Sequence, residues 1–180
     1  MGARHPVGSG GADMSDNDDA ELDPAVLQKS FRTAMGNVAA AVSVVTTFHD
    51  GGPHGTTVSA FSSLSMDPPM LLVSLDNSSN LLAKLVIGSR VGVNVLSSHQ
   101  DQVALRFAGK GDDKFLDVPW QLEDGAPALV DRHAWVALTV EQLVVAGDHT
   151  LVLGAVEAAD AGPTAPLTYW GRTFGTHQVF

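Results

Sequence analysis

Leu27, Phe31 and Met35 recur at a spacing of four, the mark of a single helix face. Asp23 can cap that helix, Pro24 suits its first position and Gly36 suits its stop, so a helix is predicted between Asp23 and Gly36. From Val38 to Phe48 the spacing gives way to a run rich in Val and Thr, which favours strand. His49-Asp-Gly-Gly-Pro-His54 reads as a hairpin turn, with a return strand from Thr56 to Phe61. Pro68-Pro69 breaks the chain before a short buried strand from Met70 to Leu75. Asn77 or Ser78 then starts a helix carrying Leu81, Leu82 and Leu85, ended by Gly88. Further on, Val91 to Leu96 is a predicted strand, Gln100 to Phe107 a turn or two of helix, and the charged segment from Gly109 to Asp124 a loop. Two long strands, Ala134 to Val145 and Thr150 to Ala158, meet at Ala146-Gly-Asp-His149, and a last short strand lies around Leu167 to Trp170. Strands joined by hairpins, with helices as inserts, predict a mainly β chain folded as an antiparallel closed barrel with peripheral helices.

At 180 residues the chain can bury one substantial core. It has no cysteine, which removes disulfides, thiolate nucleophiles and iron–sulfur ligation. No apolar run is long enough to span a bilayer, and the first 24 residues lack the apolar centre of a signal peptide, so a cytoplasmic protein is expected. The net charge of −10 is uneven: residues 1–24 hold one Arg against six acids, a net of −5. Residues 1–22 are expected to form a disordered acidic, Gly-rich tail, and residues 23–180 one folded domain; Met14 offers an alternative start. The body is only mildly acidic, and no nucleic-acid footprint or membrane partner is expected.

The densest chemistry lies in Gly55-Thr-Thr-Val-Ser-Ala-Phe-Ser-Ser-Leu-Ser-Met-Asp-Pro-Pro69. Thr57, Ser59, Ser63 and Ser65 alternate along an extended stretch, so they are expected to share one face. Such a face can grip a polar-edged, phosphorylated cofactor; it can equally be a solvated strand face. Asp76-Asn77-Ser78-Ser79-Asn80 joins a strand to a helix, where free amides can receive a phosphate or simply be capped. Arg106, Phe107, Lys110, Lys114 and Phe115 gather three cations and two aromatics in ten residues, suited to phosphate neutralisation and stacking or to a solvated loop anchored by its rings. Gly147-Asp148-His149 places a donor active near neutral pH at a hairpin that needs only Gly and Asp. His49 and His54 lack a third ligand at a telling spacing, so no metal site is expected. The Rossmann glycine fingerprint, the P-loop and the nucleophile-elbow serine are missing.

Taken in order, these pieces resemble one family. Phe31-Arg-x-x-Met35, Val42-x-Val-Val-Thr-Thr47, the Gly55–Pro69 run, Val93-Asn-Val-Leu96, Asp113-Lys-Phe115, Gly147-Asp-His149 with Gly154-x-Val156, and Pro166-Leu-x-Tyr-Trp-Gly171 are similar to the flavin reductase-like family over residues 26–176. Its members are NAD(P)H:flavin oxidoreductases that supply reduced flavin to a separate monooxygenase. The resemblance implies an FMN-binding split barrel, a homodimer with flavin near the subunit interface, FMN or FAD as cofactor, and NADH or NADPH as reductant; no basic cluster claims a 2′-phosphate, which favours NADH. It implies that Thr57, Val58, Ser59, Ala60 and Ser63 line the flavin. It further implies that Asp76, Asn77, Ser78, Ser79, Asn80, Arg106, Phe107 and Lys114 hold its phosphate or distal part, and that His149 touches the nicotinamide nucleotide. Ala60 stands where many members carry a hydroxyl, which bears on FMN against FAD. Two other readings use the same residues: an FMN-bound barrel oxidase of the pyridoxamine-phosphate oxidase type, and a flavin-binding module without turnover.

Overall fold

The structure is a computed structural model that describes Gly2, residues 23–111 and residues 113–179. The expected tail and the alternative start at Met14 lie outside the described residues, apart from Gly2. Contacts divide the chain into two units, Met1–Ala34 and Met35–Phe180.

The first helix, α1, spans Pro24–Gly36 as its caps predict. Asp23 Oδ1 accepts from Ala25 N at 2.9 Å, which satisfies one of the unpaired amides of the first turn. Its apolar face is open: Leu27 and Phe31 are more than half exposed.

In the larger unit the strands are β1 (Ala40–Ala41), β2 (Ser43–His49), β3 (Gly52–Val58), β4 (Phe61–Met66), β5 (Pro69–Asp76) and β6 (Arg90–Val95). A short 3-10 turn, Leu82–Lys84, precedes β6, and α2 (Asp101–Ala108) follows it. The chain continues through β7 (Trp120–Glu123), β8 (Ala126–Leu129), the long pair β9 (Ala134–Ala146) and β10 (His149–Ala161), β11 (Leu167–Trp170) and β12 (Thr173–Thr176). Seven strands form one antiparallel sheet in the order β3-β2-β6-β9-β10-β5-β4. Strands β1, β11 and β12 form a second sheet and β7–β8 a hairpin. The fold is therefore mainly β and antiparallel, as the pattern predicts. Its ladder ends at β3 and β4 rather than closing; Ser59 and Ala60 link these two edge strands, and Ser74 N of β5 donates to Ala60 O at 2.8 Å.

Three local expectations shift. The strand expected over Thr56–Phe61 starts earlier, at Gly52, because Asp50 and Gly51 take positive φ and turn the hairpin within two residues. The helix expected after Asn77 shrinks to the 3-10 turn: the Asp76 and Ser79 side chains accept from backbone amides and hold the segment in side-chain turns, and burial of Leu81 and Leu85 then fixes it. The loop expected over Gly109–Asp124 ends in β7, whose partner β8 is completely buried and shows no alternation to announce it.

β2 explains how the core is arranged. Residues 43–47 are buried on both faces, Val45 in a cluster with Leu71, Val73, Leu138 and Val152, and Val44 in another with Leu96, Phe107 and Leu129. Its hydroxyls are all satisfied: Ser43 donates to Val58 O at 2.8 Å, Thr46 to Pro127 O at 2.6 Å and Thr47 to Arg90 O at 2.7 Å. Asn94, fully buried on β6, donates to Val44 O and Pro127 O and accepts from Leu129 N at 2.7 Å, tying β2, β6 and β8 together. Asn94→Ala leaves the Leu129 amide without its acceptor and takes one donor from each of the Val44 and Pro127 carbonyls, so urea unfolding is expected to show a loss of about 2 kcal/mol; a change below about 0.5 kcal/mol would show that this hub carries little stability.

Candidate functional site

The edge position of β3 leaves one flank without a strand, and α2 lies against it. Thr57 Oγ1 donates to Ala104 O at 2.6 Å, and the Phe107 ring packs on Gly55. A Cβ at Gly55 would stand 2.9 Å from that ring, so only glycine permits this approach. Lys114 Nζ then braces the loop after α2 to the strand by donating to Phe107 O at 2.9 Å and Gly55 O at 3.3 Å.

Beside this contact runs a groove of about 680 Å³. One wall is the chain from Gly55 to Ala60, roughly 16 Å at the usual rise of a strand. Ser74, Leu75, Asp76 and His149 line its far end, and Ala108, Lys110 and Lys114 its near end. Lys110 and Lys114 thus face the end away from Asp76. The charge arrangement fits an elongated ligand with one anionic terminus, placed at the lysine end.

Of the residues singled out from sequence, Thr57, Val58, Ser59, Ala60, Asp76, Ser78, Ser79, Asn80, Lys114 and His149 line this groove. Ser63, Asn77, Arg106 and Phe107 do not. The expected single row of hydroxyls is broken: Thr57 turns to α2, and Ser63 lies exposed on β4, opposite Leu71 of β5. Phe107 is fully buried beneath the groove, and Arg106 Nη1 donates to Leu116 O. Gly55 and Thr56 of the same run and Lys110 of the cationic segment also line it, whereas Ser74 carries no motif and enters through its place on β5.

The Asp76–Asn80 segment is largely self-satisfied. Ser78 donates twice to Asp76 Oδ1, from its amide at 2.7 Å and its hydroxyl at 2.6 Å. Ser79 Oγ accepts from Leu81 N and Leu82 N, capping the 3-10 turn. Asn77 faces the β9–β10 turn: its amide donates to Asp148 O at 3.0 Å, its Nδ2 to Gly147 O at 3.2 Å, and its Oδ1 accepts from Thr150 Oγ1 at 2.8 Å. It is a clasp that sets His149 beside Asp76, its ladder partner. Asp148 Oδ1 lies 2.8 Å from His149 Nδ1; a carboxylate can only accept here, so Nδ1 carries the proton and Nε2 is left for a ligand. The His49 and His54 rings lie 6.4 Å apart, and no cluster of metal-ligating side chains is found among the described residues.

Residues 35–178 match the model of the flavin reductase like domain. A flavin reductase (NADH) of Kitasatospora aureofaciens is 39% identical over 83% of this chain and 82% of its own length. The reductase component of a 4-nitrophenol 4-monooxygenase/4-nitrocatechol 2-monooxygenase from Rhodococcus opacus is 35% identical over 81% of this chain and 78% of its own. The NADH:FAD oxidoreductase of Streptomyces globisporus C-1027, solved with NAD and FAD fragments, superposes with a TM-score of 0.80 at 28% identity, covering 88% of this chain and 97% of that one.

The Ser78 hydroxyl first, and its amide second, hold the Asp76 carboxyl below its ordinary value of 3.8 against desolvation, with the least contribution from the charge interaction with His149. A lowered folded value means that the ionised carboxylate stabilises the turn above pH 3.8, and that this support is lost as pH falls through the lower folded value. Ser78→Ala is expected to move the Asp76 titration back towards 3.8, read by NMR of its carboxyl; an unmoved titration would remove the hydroxyl as the cause.

Proposed function

The chain belongs to the flavin reductase-like domain family, and from that premise we propose that it is an NADH:flavin oxidoreductase that delivers reduced flavin to a separate monooxygenase. The observation that carries this reading is the groove itself, long enough for a flavin and its chain, with lysines at one end and His149 at the other. When bound, the cofactors supply the chemistry, a hydride passing from the nicotinamide to the flavin ring.

The protein's task is to bind and to orient. The wall from Thr56 to Ala60 presents backbone groups along the flavin, and Lys110 and Lys114 neutralise the phosphate end. Asp76 keeps the opposite end anionic, which disfavours a reversed flavin. His149, with Nε2 free, meets the nicotinamide nucleotide, and Asn77 acts behind it as a positioning residue. Ser78 and Ser79 shape this end through the turn they hold. Phe107 serves by packing under Gly55, and Arg106 by holding the loop after α2.

The same reading takes the protein to be a cytoplasmic homodimer. The exposed Val144 and Val145 near the tip of the β9–β10 hairpin support a second copy as their cover. No helix among the described residues is long and apolar enough to cross a membrane.

Purified protein is expected to oxidise NADH only when FMN or FAD is added, with a rate that saturates in flavin. His149→Ala is expected to raise KM for NADH roughly 10-fold, about 1.4 kcal/mol, with flavin affinity unchanged. Steady-state loss of NADH absorbance checks both; an unchanged KM would remove His149 from the nicotinamide site, and no turnover with either flavin would overturn the reductase reading.

A further inference from the structure

A second cavity, of about 160 Å³, opens off the lysine end of the groove. The two share Gly55, Asn80, Leu81, Gly111 and Lys114, so the smaller one is an annex of the larger. Its own walls come from the β2–β3 hairpin, through Pro53 and His54, and from the 3-10 turn, through Ala83 and Lys84.

Its chemistry differs from that of the groove. No acid lines it among the described residues, whereas Lys84, Lys114 and His54 all do. Lys114 Nζ is already engaged by the Gly55 and Phe107 carbonyls, so its contribution is charge at the junction. Lys84 makes no ion pair among the described residues and stands half-buried at the annex wall. The mildly acidic body of this chain offers many carboxylates for surface lysines, yet this one lines a cavity where, among the described residues, there are none. The volume is about that of five waters, room for a diphosphate and too little for a nucleoside.

We infer that this annex is a subsite for the second phosphate of a dinucleotide flavin, with Lys84 as the residue that favours FAD over FMN. The inference rests on the groove holding flavin with its phosphate at the Lys110 and Lys114 end. A ligand so placed has its first phosphate at the junction, and any phosphate beyond it enters the annex. FMN ends at the junction and makes no use of Lys84; FAD continues to it, and its adenosine lies beyond the annex mouth.

Calorimetric titration of the wild type, Lys84→Ala and Lys84→Arg with FMN and with FAD tests this. The wild type is expected to bind FAD more tightly than FMN. Lys84→Ala is expected to weaken FAD roughly 10-fold, the scale of one charge-assisted contact, and to leave FMN within about 2-fold. Lys84→Arg, which keeps the charge, is expected to restore most of the FAD affinity, an outcome that a simple loss of folding would not give. Equal weakening of both flavins, no change in either, or an effect confined to KM for NADPH against NADH would overturn the inference; the last would place the 2′-phosphate of NADPH there instead. A wild type that binds neither flavin would overturn the reading of the groove, and this inference with it, a result distinct from flavin binding that ignores Lys84.

Discussion

The site depends on the close approach of α2 to β3. An edge strand ordinarily leaves its outer flank to water or to another chain. Here the helix covers part of it, made fast by the Thr57 hydroxyl on Ala104 O, by the Phe107 ring on Gly55 and by the Lys114 ammonium on two carbonyls. Two of these three contacts involve Gly55, whose missing side chain gives the ring its place. Had the helix stood one side chain further out, the lysines of the following loop would not reach the strand, and the groove would lose its cationic end.

The other end is built by a different device. Asn77 has both its side-chain functions and its backbone amide directed at the β9–β10 turn, so the loop after β5 and the turn before β10 behave as one piece. Asp76 and His149 are opposite each other in the ladder and inherit that rigidity. A groove with an acidic, histidine-bearing end and a lysine-bearing end gives an elongated anionic ligand one preferred direction. In the proposed function that directionality would set a flavin's ring towards His149 and its phosphate towards the annex.

Several residues turned out to act at one remove. Asn77, Phe107 and Arg106 suit phosphates and rings by residue type, yet each side chain is engaged within the chain. Each holds something else in position, a turn, a glycine or a loop. Residue type marks what a side chain can bind; it does not say whether a carbonyl of the same chain reaches it first. Ser78 and Ser79 illustrate the same competition, since short polar side chains close local turns before any ligand arrives.

By itself the sequence determined the element types, the caps of α1, the long β9–β10 hairpin and the segments from which the site is made. These follow from local periodicity, from turn residues such as Asp50-Gly51 and from an ordered set of motifs, all of which are properties of neighbours along the chain. It did not announce β8, buried on both faces and without alternation, or the collapse of the Asn77–Gly88 helix into a 3-10 turn, where burial of Leu81 and Leu85 overrode helical spacing. Nor did it tell which hydroxyls of the Gly55–Pro69 run face the groove, because the run is shared between two strands, β3 and β4, at opposite edges of one sheet. Only the tertiary structure decided that Thr57 serves α2, that Lys110 and Lys114 share one end of the groove, and that Lys84 lines the annex beside them, since each depends on contacts between residues far apart in sequence whose distances are set by packing.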